Sequence, residues 1–518
     1  MELTRKEMLK LGLLGSAALL LPLERQARTR LKVTDRLPES RLPAPFRVPF
    51  VRPPVARPVK RTATTDYYRM AIRNRPAEIL PGLKTEVWGY NGLTPGPTIV
   101  QRRRRKTVVR FANRISNSRH EHTSVHLHGN ASLPQYDGYA SDVTRPGFYK
   151  DYVWPNEQPA RTLWYHDHGV HVTAENAYMG CAAMYITHDA LEMGLPIPRG
   201  RYDVPLVVRD AMFAEDGSLL FDREEDDSLF GDVILVNGRP WPTMKVERRK
   251  YRFRLLNAGV ARSFELYLSS GDPLTVIGTD GGLMPAPVQT ESLRFGMAER
   301  YEVIIDFARY KIGDRVILQN LGLPNNVDYP NTDVVMRFEV ASEATDRRSN
   351  SVPAVLNPHD EAMRLRESQA VRARDLRFER QGGEWTINGS TWDDVVKSGF
   401  TEVVGNPGLG DVEIWRLTNK SGGWFHPVHI HLVDFKILDR NGKPPFSYER
   451  GPKDVVYVGE GETVRVIARY GPHRGRYMIH CHNLVHEDHD MMHQFEVGKG
   501  GPDPINAAPA KPLLATAL

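Results

Sequence analysis

One unit recurs along this chain of 518 residues, and it restricts the fold to something built from strands. "YNGLTPGPTIVQRRRRKTVVRFANR" begins at Tyr90 and "VNGRPWPTMKVERRKYRFRLLNAG" at Val236. A looser third copy opens at Ile387 with "INGSTWDD" and closes on "IWRLTNKSG". Each copy carries an Asn-Gly turn and, later, a strand ending in Asn whose apolar and charged residues alternate, as in "YRFRLL". Helical periodicity is scarce everywhere. The repeat predicts an all-β chain of three Greek-key β-sandwich units, over 45–190, 200–342 and 373–498, with a polar linker over 343–372. The Gly-, Pro- and Ala-rich segment 499–518 is expected to be a disordered tail.

The N-terminus reads differently. Arg5, Lys6 and Lys10 precede an apolar run from Leu11 to Leu23, too short to span a bilayer comfortably. Residues 1–30 are therefore expected to be an export signal and not an integral membrane segment. "TRKEMLK" is a variant of the twin-arginine pattern, with Lys6 where the second arginine belongs, so the chain is expected outside the cytoplasm. A net charge of +6 is modest for this length. The run from Arg102 to Lys106 reads as a solvated strand end, and no nucleic-acid partner is expected. Two cysteines cannot build a disulfide framework.

Histidine is partitioned among the units. None occurs between His188 and His359, so the middle unit has no histidine chemistry. Four clusters hold most of the 18: "HLHG" (His126, His128), "HDHG" (His166, His168), "HPVHIHL" (His426, His429, His431) and "HCH" (His480, Cys481, His482) with its sequel at His486, His489 and His493. On a strand, residues two apart share a face, so each His-x-His pair can converge. Four pairs set among apolar neighbours are costly to bury unless something ligates them. A metal site between the first and third units explains both the pairs and their distribution. In "HCH" the two histidines face one side and Cys481 the other, so one tripeptide can serve two metal sites. A thiolate, two imidazoles and a weak axial thioether make an electron-transfer copper site. Cys481, His486 and Met491 supply three of these, and His426 is the unpaired candidate for the fourth. Other metals fit less well. "HEDH" is not a zinc-peptidase signature, an iron triad leaves the neighbouring pairs unexplained, and one cysteine is too few for structural zinc.

The order and spacing of "HLHG", "HDHG", "HPxHxH" and "HCHxxxHxxxxM" resemble the multicopper oxidases. "RTLWYHDHGVHVTAENAY", "AERYEVIIDF" and "HIHLVDFKIL" are similar to its bilirubin oxidase and spore-coat laccase branch. The resemblance covers residues 45 to 498. It implies three cupredoxin domains and four copper ions. His426, Cys481, His486 and Met491 would hold the type 1 copper; His126 and His429 the type 2 copper; His128, His166, His168, His431, His480 and His482 the type 3 pair. Small aromatic reducing substrates (phenols, aromatic amines or tetrapyrroles) would give single electrons at an exposed edge of His486 or His426. Electrons would cross from Cys481 through His480 and His482, and dioxygen would be reduced to water. Glu487 and Asp137 match acidic positions that the branch uses near the dioxygen site, so they are the expected proton donors.

His120, His122, His171, His489 and His493 have no place in the ligand count, and Cys181 reads as a buried free thiol. Trp424 divides between covering the type 1 site and packing. Two rival functions remain at this level. A Cu(I) or Mn(II) oxidase is one; the lack of a methionine-rich insert, with Met363 the only methionine between 340 and 400, counts against the cuprous form. A scaffold or copper-buffering protein is the other, and neither requires the complete ligand set or the His-Cys-His bridge.

Overall fold

In the computed structural model, residues 36–513 are described. The expected export signal lies outside them. Among the described residues no helix is long and apolar enough to cross a membrane.

The three copies of the repeat adopt one backbone solution. Asn91, Asn237 and Asn388 all have positive φ, as do Gly92, Gly238 and Gly389 after them, which is the turn that Asn-Gly favours. In each copy the asparagine Oδ1 accepts a backbone N–H from an earlier strand: Ala71 at 3.0 Å, Val207 at 2.9 Å and Arg377 at 2.8 Å. The alternating strands become Lys106–Asn113, Lys250–Asn257 and Val412–Asn419. Each runs parallel to the first long strand of its unit: Thr65–Ala77, Asp203–Ala211 and Arg372–Gln381. The terminal asparagine of each also recurs in role, its Oδ1 accepting from the residue two positions on (Ile115, Gly259, Ser421).

Among the described residues these strands form six sheets, two for each unit. In the first unit the four-stranded sheet runs Ile99–Arg102, Ala182–His188, Arg161–Asp167, Val125–His128. In the third, the four-stranded sheet runs Val455–Val458, His426–Ile430, Gly475–Cys481, Met492–Val497. These two sheets carry the histidine clusters. Each encloses an apolar core with its partner sheet: Tyr90, Phe111, Trp154 and Tyr165 in the first unit, Phe378, Trp415, Phe435 and Phe495 in the third. The run Arg102 to Lys106 forms the connection between strands Ile99–Arg102 and Lys106–Asn113, with Arg104 at positive φ.

The C-terminal segment departs from expectation. It is not disordered through Leu513: Lys511–Pro512 pairs antiparallel with Phe148–Tyr149 of the first unit, and Ile505 packs against the apolar cluster that includes Trp392 and Val395. Its composition signals weak intrinsic structure, but the strand Phe148–Trp154 offers an open edge, and edge pairing orders a segment that would not order alone.

Candidate metal centre

Strand register brings the four clusters together. His126 lies opposite His166 in the first unit, and His429 opposite His480 in the third. The two sheets then meet ring to ring. His128 stacks on His429 at a centroid distance of 3.6 Å, and His126 on His431 at 4.0 Å. All eight of His126, His128, His166, His168, His429, His431, His480 and His482 are buried.

Three groupings emerge. His126 and His429 face each other through Nε2 atoms 3.4 Å apart. His168 and His431 each bring Nε2 to 3.2 Å from Nε2 of His480. His128, His166 and His482 form the third, with ring centroids 5.2 to 5.7 Å apart. Nitrogens bound at about 2 Å to one ion stand about 3.3 Å apart, so these separations suit metal ligation. The unpartnered atoms agree. His128 Nδ1, His166 Nε2 and both nitrogens of His482 are buried with no hydrogen-bond partner, an expensive state that a cation at the centre relieves.

Several of the opposite nitrogens are anchored. Nδ1–H of His126 donates to the carbonyl of Asp137, that of His429 to the carbonyl of Asp454 at 2.8 Å, and that of His166 to the carbonyl of Asp167 at 2.7 Å. His431 Nδ1 is 2.8 Å from Asp137 Oδ2. Glu487 stands 2.9 Å from His480 Nδ1 and 3.3 Å from His168 Nδ1. His128 is turned the other way: its Nε2 meets Asp454 Oδ1 at 3.0 Å and its Nδ1 is the free atom. Burial holds His166 down at about 3 and His168 at about 4, and pushes His126, His128, His429, His431 and His482 well below the usual histidine range. Neutral rings with a free lone pair are what a metal needs.

The second site lies on the other face of the strand Gly475–Cys481. His426 Nδ1 is 3.2 Å from Cys481 Sγ, His486 Nδ1 is 3.6 Å from it, and the two Nδ1 atoms are 3.3 Å apart. The short helix Leu484–Asp488, capped by Asn483, turns the chain so that His486 returns to Cys481. Met491 is buried in the same apolar cluster as Cys481, and its carbonyl accepts the Cys481 N–H at 3.0 Å. Burial pushes the thiol pKa up, and only a bound cation would make a thiolate the stable form there.

The expected solvent-facing edge on His426 or His486 is absent: both are buried. Trp385 stacks flat on His486 at 3.9 Å and Trp424 meets it edge-on at 5.4 Å. The Trp385 indole donates to the Asp226 carbonyl at 2.7 Å, and Arg380 grips Asp226 and Asp227, so a loop of the middle unit is tied across this face. That cover comes from residues far apart in sequence, which motif spacing does not reveal.

Other polar residues near the clusters have bonds of their own. Asp167 accepts from Ser124, Gly169 and Asn176 and holds the local loop together. His120 bonds to Asn113 and Asn176, His489 to the Val485 carbonyl, and His493 to the Gln494 carbonyl, all outside the ligand sets. Cys181 is a buried free thiol against the Trp88 carbonyl. Sequence reasoning missed Asp454, Arg300 and Trp385. Only the charged pair Lys453-Asp454, placed directly before the apolar strand Val455–Val458, hinted at the first.

A cysteine–histidine site and an imidazole cluster, joined by one tripeptide on a chain of three β-sandwiches, define a copper-dependent oxidoreductase. The chain belongs to the multicopper oxidase family, whose members reduce dioxygen: three models described as multicopper oxidase match residues 71–192, 210–335 and 367–501. It is 44% identical to a bilirubin oxidase of Albifimbria verrucaria, over 87% of this chain and 81% of that protein. It is 36% identical to a laccase of Bacillus stratosphericus, over 86% and 97%. A crystal structure of a laccase from Pediococcus acidilactici matches with a TM-score of 0.78 at 28% identity, covering 88% of this chain and 95% of that one.

Proposed function

We propose that the chain holds four copper ions and oxidises phenols, aromatic amines or tetrapyrroles by single-electron steps. His426, Cys481, His486 and Met491 would hold the type 1 ion, and His126 and His429 the type 2 ion. The type 3 pair would be held by His168, His431 and His480 on one side and His128, His166 and His482 on the other. Bound copper supplies the redox chemistry, taking electrons singly and reducing dioxygen by four electrons to water. The observation that carries this reading is Cys481, whose Sγ meets His426 and His486 while the adjacent residues His480 and His482 turn to the imidazole cluster.

The protein groups orient, exclude water and hold protons. The Glu487 carboxylate lies behind His168 and His480, and Asp137 behind His431, so each orients a ring and stands where a proton could be held close to the cluster. Trp385 and Trp424 exclude water from His486 and give that site an aromatic wall, which supports flat aromatic reductants. The name of one relative, a bilirubin oxidase, supports the tetrapyrrole class.

The decisive experiment loads the protein with copper and measures absorbance near ~600 nm, the blue band of a Cu(II)-thiolate, together with oxygen uptake. Bilirubin, a phenol, an aromatic amine, Cu(I) and Mn(II) are compared as reductants. A colourless loaded protein that consumes no oxygen with any of them would end the oxidase reading. Faster uptake with a metal ion than with every aromatic would replace the substrate class. Export by the twin-arginine route is proposed from Arg5, Lys6 and the apolar run after Lys10. A reporter fused after residue 35 that stays in the cytoplasm would refute it.

A further inference from the structure

The middle unit has no histidine, yet one of its side chains grips the carboxylate that holds the imidazole cluster. Arg300 begins the strand Arg300–Asp306 and is fully buried. Each of its five guanidinium N–H groups has an acceptor. Nε donates to the Thr162 carbonyl at 3.1 Å, on the strand that carries His166. Nη1 donates to the Ala298 carbonyl at 3.0 Å and to Asp454 Oδ1 at 2.6 Å. Nη2 donates to the Asp280 carbonyl at 3.2 Å and to Asp454 Oδ2. One planar group thus ties all three units together and grips Asp454 with two prongs.

Asp454 in turn holds two cluster histidines. Its Oδ1 meets His128 Nε2 at 3.0 Å, and its carbonyl accepts from His429 Nδ1 at 2.8 Å. The same carboxylate is why His128 presents Nδ1, where its neighbours with anchored Nδ1 atoms present Nε2. Asp280 fixes the frame behind it: Oδ1 accepts the Arg300 N–H at 2.7 Å, and Oδ2 lies 2.9 Å from Lys453 Nζ. The glycine of "HLHG" leaves room for the pair. A Cβ on Gly129 would stand 2.6 Å from Arg300 Nη2 and 2.7 Å from Asp454 Oδ2.

We propose that Arg300 is a positioning residue for the oxygen-reducing cluster: by locking Asp454 it sets the ring orientation of His128 and the seat of His429. The histidine-free unit is then part of that site. This rests on the copper assignment above, and the blue band tests that assignment separately, because the hydrogen bonds of Arg300 and Asp454 run to other residues than His426, Cys481 and His486.

Arg300→Lys keeps the charge and loses the two-pronged grip. Expected results are a retained blue band, an unchanged unfolding temperature of the copper-free protein within a few degrees, and a tenfold or greater fall in cluster copper affinity and oxygen uptake, about the range for outer partners of metal-bound histidines. The copper-per-chain ratio and the electron spin resonance of the non-blue Cu(II) report the cluster without relying on turnover. Arg300→Gln/Asp454→Asn leaves no unpaired charge at the pair and should show the same selective loss if the lysine variant does not accumulate. Wild-type copper content, resonance and rate in either folded variant would overturn the proposal. So would parallel loss of blue band and cluster copper, or failure of both variants to fold, since each of these marks a residue that only holds the fold together.

Discussion

Asp137 offers the sharpest test of how the cluster is held, because it acts through two different atoms. Its backbone carbonyl takes the His126 Nδ1–H and its side-chain Oδ2 stands 2.8 Å from His431 Nδ1. Asp137→Ala leaves the first bond and deletes the second, stranding a buried donor with no water to replace the lost acceptor. An unsatisfied buried donor costs about 1–3 kcal/mol, and each 1.4 kcal/mol is about tenfold in an equilibrium, so cluster copper should bind about 5- to 150-fold more weakly. Asp137→Asn keeps an acceptor of the same shape and should lose much less copper. The blue band should survive in both, since Asp137 bonds to His126 and His431 and not to His426, Cys481 or His486. Titrating copper into the stripped variants while recording the blue band and the non-blue resonance measures each site separately. Oxygen uptake then divides positioning from proton supply. If Asp137 also feeds protons, fully loaded Asp137→Asn turns over about tenfold or more slowly with a normal resonance. An alanine variant that binds copper like wild type, or one that loses the blue band alongside the cluster, would refute the reasoning.

Other outcomes follow from the same geometry. Cys481→Ser should remove the band near ~600 nm and oxygen uptake while the far-ultraviolet dichroism of the sandwiches persists; retained colour would place the thiolate site elsewhere. Stripping copper should abolish uptake and lower the unfolding temperature, because a ligand bound only to the folded chain stabilises it by mass action, and readdition should reverse both. Gly238→Ala should destabilise the middle unit by about 1–3 kcal/mol in a denaturant titration, since φ is 75° there and the new Cβ would lie 2.3 Å from the Thr94 carbonyl oxygen. Unchanged stability would mean that the turn relaxes freely.

The Asn-Gly turns and the strands that end in Asn113, Asn257 and Asn419 were legible because they are local. A left-handed dipeptide, a period-two alternation and an Asx turn each depend on a few consecutive residues, and the same hydrogen bonds formed all three times. The candidate metal ligands were legible for a related reason. His-x-His on a strand fixes which face each ring takes, and Cys481 between His480 and His482 fixes the two-sided bridge. The C-terminal segment was misread because its composition reports intrinsic propensity, whereas its order comes from the open edge at Phe148–Tyr149.

What sequence alone determined, then, was the strand repeat, the partition of histidine between the first and third units, and the donor set. Only the tertiary structure decided which imidazoles pair, that Trp385 and the loop at Asp226 bury His486, and that Arg300 of a unit without histidine braces Asp454. The physical reason is range. Side-chain direction along a strand is set by the backbone within two residues, while ring stacking and a five-bond guanidinium depend on how separate sandwiches dock, which no single stretch of chain encodes.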